Sequence, residues 1–113
     1  MQFEISNQAD YSIININELR MDASLAPAFK DFCSSNMQTV TTPIIIDLSN
    51  IRFMDSSGLG ALIFCLKQTG DQYPVVLIGA NESVCDLLEL TSMHKLFLIE
   101  ASVETALTKL KDN

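Results

Sequence analysis

Basic residues are scarce in this chain: seven Lys and Arg stand against fourteen Asp and Glu, a formal net charge of −7. Nucleic acid and anionic membranes both require an excess of positive charge, so neither is expected as a partner. A partner with a basic face would instead be steered in favourably. Histidine is represented once, by His94, and the three cysteines, Cys33, Cys65 and Cys85, are widely spaced. No C-x-x-C pair exists, so a zinc-type ligand set is missing. Each cysteine stands in an apolar helical pattern and reads as a buried thiol in a reducing compartment. No apolar run approaches the roughly 20 residues needed to span a bilayer. The start, Met1-Gln2-Phe3-Glu4, lacks the basic opening and apolar core of a signal peptide, and a cytoplasmic location is expected. Internal repeats and low-complexity segments are likewise missing.

What remains is an ordinary globular composition. With 113 residues, 48% hydrophobic and 19% charged, the chain is expected to form one domain, 1–113, around a single core. Residues 2–6 alternate in polarity, Asn7 to Asp10 reads as a turn, and Tyr11 to Ile16 reads as a second strand. Leu25, Ala28, Phe29, Phe32 and Cys33 mark a helix, with Asp22 and Ser24 as candidate caps and Pro27 tolerable only in the first turn. Ser34 to Thr42 is polar and connects to a strand at Ile44–Leu48. A helix from about Ser57 to Thr69 follows, then a strand within Tyr73–Ile78. Asn81 is placed to cap a third helix, Leu96–Ile99 reads as a strand, and Ser102 is placed to cap the last helix. The order β-β-α-β-α-β-α-β-α predicts a mostly parallel α/β sheet, antiparallel only at its N-terminal strand and covered by helices. In such sheets ligands and chemistry collect at the carboxyl ends of the strands.

The stretch Pro43–Gly70 places two hydroxyls and a carboxylate, Asp55-Ser56-Ser57, at such an end and at the start of a helix whose apolar positions are Leu59, Leu62, Ile63 and Leu66. Gly58-Leu59-Gly60 opens like a dinucleotide loop, but Ile63 occupies the third glycine position and no P-loop lysine follows. A serine-hydrolase elbow fails because Met54 and Asp55 stand where glycine would precede Ser56 or Ser57, and His94 would have to be the base. Two readings stay open. The trio can cap the helix, which accounts for one hydroxyl but not for Asp-Ser-Ser-Gly together beside Met54 and Leu59, large apolar neighbours expected to be partly exposed. Alternatively it is a regulatory phosphorylation site on a binding surface, since a helix N-terminus tolerates a phosphate that a docked partner would not.

Phe53-Met54-Asp55-Ser56-Ser57-Gly58-Leu59-Gly60 resembles the signature of the bacterial anti-sigma factor antagonists, single STAS domains. Arg20-Met21-Asp22-Ala23-Ser24 resembles the family's R-L-D-A segment, and Ile44–Leu48, Leu87–Thr91 and Lys95-Leu96-Phe97 resemble further segments. Leu19 departs from the family's usual glycine in the loop that helps form the partner surface of relatives. The resemblance implies a non-catalytic STAS fold without cofactor. It implies an anti-sigma factor partner that commonly is the kinase, a serine phosphatase, phosphorylation at Ser56, and binding only by the unmodified form. It implies a partner surface comprising Asp22, Asp55, Ser56, Ser57, Gly58 and Leu59. The alternative it leaves is a STAS interaction module that controls a signalling enzyme or response regulator without a sigma factor.

Overall fold

The computed structural model describes residues 2–70 and 72–111; Met1, in the start read above, and Asp71, between the expected second helix and the strand that follows it, lie outside the described residues. In chain order the elements are β1 (Phe3–Asn7), β2 (Ser12–Ile16), β3 (Arg20–Met21), α1 (Ala26–Asn36), β4 (Ile44–Asp47) and β5 (Phe53–Met54). Then come α2 (Ser56–Gln68), β6 (Val75–Ile78), α3 (Glu82–Leu90), β7 (Leu98–Glu100) and α4 (Val103–Lys111). The main sheet has the order β1-β2-β4-β6-β7, and β3 and β5 form a separate two-stranded ribbon. β1 and β2 pair antiparallel, Phe3 opposite Ile16, whereas β2–β4, β4–β6 and β6–β7 are all parallel. This is the predicted α/β arrangement, with the ribbon added.

The β-branched runs explain the sheet. Ile44, Ile45 and Ile46, like Val75 to Ile78, are buried on both faces, which requires cover on each side. Ile14, Ile44, Ile46, Val75 and Leu77 pack under α1, α2 and α3, through Phe29, Leu62, Cys65 and Leu88 among others. Ile45, Val76 and Ile78 on the opposite face are covered by α4, through Ala106 with Leu107 and Leu110. Each fully buried aliphatic side chain contributes about 1.5–3 kcal/mol, and these residues dominate the stabilisation of the fold.

Several local expectations are realised, and the end of the first helix moves. Asn81 accepts the Val84 N–H at 2.8 Å, and Ser102 Oγ accepts the Thr105 N–H at 3.2 Å, so both cap as expected. Gly70, with φ 61°, supplies the left-handed turn after α2. α1 runs on to Asn36 and ends in a 3-10 turn at Met37–Thr39. The polar trio Ser34-Ser35-Asn36 concealed this continuation, which is anchored by buried Met37, its sulfur 4.0 Å from Cys65 Sγ. Cys33 and Cys65 are buried, and the Cys65 thiol together with burial pushes the Cys33 thiol up. Cys85 is only half-buried. Among the described residues no helix is long and apolar enough to cross a membrane.

Candidate functional site

The site is built where the β3–β5 ribbon meets the start of α2. Arg20 pairs with Phe53 and Met21 with Met54, in parallel. The alternation of a strand turns Arg20 and Phe53 outward and buries Met21 and Met54, the latter at 6% exposure. Leu19 O accepts the N–H groups of Arg52 (2.8 Å) and Phe53 (3.3 Å), and Met21 O accepts the Asp55 N–H at 3.3 Å. These bonds tie the loop that enters α1 to the first turn of α2. Nothing in the sequence marks Phe53-Met54 as a strand, because two residues are too few to display a period.

Gly58 makes the close approach feasible. A Cβ there would fall on the Met21 carbonyl oxygen and lie 2.7 Å from Met21 Cγ. The glycine is therefore explained by helix-to-ribbon packing rather than by a cradle for phosphate. Gly60 faces open space.

Asp55 is the N-cap of α2: its backbone is extended, and Oδ1 accepts the Gly58 N–H at 3.0 Å. Ser56 and Ser57 occupy the first two helical positions and are exposed. Neither hydroxyl makes a hydrogen bond among the described residues. The capping account thus consumes one carboxylate and leaves both serines unused. Met54 and Leu59 were expected to be partly exposed, and Gly58 and Leu59 to touch a partner. All three are buried, Leu59 at 5%, because they form the floor that fixes α2 on the core.

Asp22 lies on the same rim, half-exposed. Its Oδ1 accepts the Ser24 N–H (3.0 Å) and hydroxyl (2.6 Å), and its Oδ2 accepts Arg20 Nε at 3.2 Å. The Ser24 hydroxyl first, then Arg20, hold this carboxyl below its ordinary range. Asp22 caps the turn leading into α1, while the formal cap position, Leu25, receives no side-chain bond. Arg20 also lays its guanidinium 4.6 Å from the centroid of the Phe53 ring. Leu19 at 58% and Phe53 at 40% exposure complete an outer edge that motif reading did not assemble.

His94 stands apart from all of this. It occupies a 3-10 turn at Met93–Lys95 and lines a surface hollow with Leu66, Tyr73 and Pro74. Leu66 is near the far end of α2, whose 13 residues span about 20 Å. A Ser56–His94 pair is geometrically excluded.

Comparison with known proteins agrees with this architecture. The STAS domain family model matches residues 2–106. The anti-sigma-B factor antagonist of Staphylococcus aureus (strain NCTC 8325 / PS 47) is 25% identical over 85 residues, covering 74% of this chain and 79% of that protein. An anti-sigma-factor antagonist (STAS) domain protein from Planctomyces limnophilus superposes with a TM-score of 0.85 at 18% identity, covering 96% of each chain. The unphosphorylated anti-sigma factor antagonist SpoIIAA superposes with a TM-score of 0.77 at 16% identity, covering 98% of this chain and 97% of that one. SpoIIAA has also been solved in its phosphorylated form, with a TM-score of 0.69 at 17% identity, covering 95% of this chain and 97% of that one.

Proposed function

Because the chain belongs to the STAS domain family, we propose that it is an anti-sigma factor antagonist that binds its anti-sigma factor when Ser56 is unmodified and releases it when Ser56 carries a phosphate. In this reading the protein is non-catalytic and cytoplasmic. The anti-sigma factor doubles as the serine kinase, and a serine phosphatase restores the binding form. The observation that carries the proposal is the Ser56 hydroxyl itself: exposed, at the first position of α2, and released from capping because Asp55 does that work.

The chemistry supports a switch that spares the fold. A phosphate brings about −1.5 to −2 charge at neutral pH. The unpaired N–H groups of a helix N-terminus accept such charge, and no existing hydrogen bond of Ser56 is lost. A docked partner meets new bulk and charge next to Asp55, and an unpaired charge buried in an interface costs several kcal/mol. Asp22, Asp55 and Ser57 lie around Ser56 as the polar contact rim, with Gly58 and Leu59 supporting it from beneath.

Affinity capture from the host with wild type, Ser56→Ala and Ser56→Glu tests the reading. Wild type and Ser56→Ala should retain an anti-sigma factor with serine kinase activity, and Ser56→Glu should not. Equal retention by all three variants would overturn it, as would capture of a signalling enzyme with no sigma factor in the pathway.

A further inference from the structure

The charge inventory around Ser56 is unbalanced. A phosphate there would join two carboxylates, the Asp55 cap and Asp22, in a chain that is already strongly acidic. Lys30 is exposed on α1, Lys67 lies at the distal end of α2, Lys95 is in the turn beside β7, and Lys109 and Lys111 are in the last turn of α4. Arg20 lies in β3 and Arg52 directly precedes β5, in the segments tied to the first turn of α2.

Of these two, Arg20 is poised. It shares the outward face of the ribbon with Phe53, three residues before Ser56, a separation of about 10 Å along an extended chain. An extended arginine reaches roughly 6 Å from its Cα, and a phosphoserine extends toward it. Its neighbour in sequence, Met21, already touches the first turn of α2 through its carbonyl. The guanidinium carbon sits over the Phe53 ring, 4.6 Å from its centroid, and Asp22 binds only Nε. Neither Nη makes a hydrogen bond among the described residues. An oriented guanidinium with an open Nη edge is suited to a phosphate, which it engages through two parallel N–H···O bonds.

Building on the assignment of Ser56 as the modified serine, we propose that Arg20 is the internal receptor of that phosphate, taking it on the Nη edge while Nε stays with Asp22. Phosphorylation then does more than add charge to the rim. It draws Arg20, and the Phe53 ring beneath it, into a closed cluster with the phosphate, and withdraws that edge from any partner. Arg20 is a positioning residue here and takes part in no bond making.

The test needs neither kinase nor partner, so its failure and the failure of the partner-switching reading are separable. Phosphoserine is installed at position 56 during translation, and its phosphorus resonance is titrated in wild type, Arg20→Gln and Arg52→Gln at low and high salt. One cation about 5 Å away in a water-like dielectric lowers the phosphate's second pKa by roughly half a unit. Arg20→Gln should therefore raise it by about that amount at low salt, Arg52→Gln should leave it unchanged, and salt should shrink the difference. The Arg20 Nε–H resonance should shift on comparing phosphorylated with unmodified protein. Identical titrations in wild type and Arg20→Gln with an unmoved Nε–H signal would overturn the proposal. So would a shift produced by Arg52→Gln instead.

Discussion

Two glycines lie two residues apart on α2, and the structure assigns them opposite responses to the same substitution. In Gly60→Ala the new methyl enters open space, so only intrinsic helix preference acts, a gain of up to about 1 kcal/mol. In Gly58→Ala the same gain is available, but the methyl lands on the Met21 carbonyl, a backbone group that cannot swing aside. Relief requires the ribbon and helix to separate. That brings an overpacking cost of about 1–3 kcal/mol and weakens the Asp55–Met21 hydrogen bond, which contributes about 1 kcal/mol. The net is a loss of roughly 2 kcal/mol for Gly58→Ala. With an unfolding entropy of about 2.1 cal/mol/K per residue, 113 residues convert each kcal/mol into about 4 °C. Thermal and urea unfolding followed by circular dichroism should show Gly58→Ala melting about 8 °C lower, and Gly60→Ala up to about 4 °C higher. The urea slopes should stay unchanged. A Gly58→Ala variant as stable as wild type would refute the packing role of this glycine, as would equal shifts in both variants.

Asp55→Ala should cost about 1 kcal/mol by removing the cap on the Gly58 N–H, and Asp55→Asn should recover most of it, as read by urea midpoints. The Ala variant should in addition bind the anti-sigma factor less tightly. Ser92 holds φ 60° after α3, a left-handed conformation unfavourable to a side chain, so Ser92→Gly should stabilise by roughly 0.5–1 kcal/mol in the same assay. Asp22 has a depressed pKa relative to 3.8, so its stabilising contribution is present above that value and is lost as pH falls through its folded-state pKa. The stability gap between wild type and Asp22→Asn should therefore narrow as pH falls below about 4, with Asn still accepting from Ser24.

Long-period features were legible in the sequence, and short-range tertiary ones were not. The runs Ile44–Ile46 and Val75–Ile78 announced strands covered on two faces, and Gly70, Asn81 and Ser102 announced helix ends through their own chemistry. The β3–β5 ribbon joins four residues, Arg20, Met21, Phe53 and Met54, whose pairing spans 33 positions of sequence and leaves no periodic trace in either segment. The same blindness left Leu59 expected as partly exposed: it is buried in one core cluster with Met21 and Met54 of the ribbon, which periodicity could not supply. At the site itself, Asp55, Ser56 and Ser57 were recognisable as a group from their position before an apolar helix. Their division of labour was not, because it depends on one backbone geometry at Asp55. The Arg20–Phe53 stack and its link to Asp22 likewise exist only once the two ribbon strands meet.

The central claim is that one hydroxyl controls partner affinity without unfolding the domain. Calorimetric titration of the anti-sigma factor with unmodified protein and with protein phosphorylated by it tests this most directly, once mass spectrometry has located the phosphate. The account predicts modification at Ser56, an unchanged circular dichroism spectrum, and an affinity lowered by over a hundredfold, equivalent to roughly 3 kcal/mol. A phosphate found only on Ser57, or an affinity undiminished by phosphate on Ser56, would contradict it.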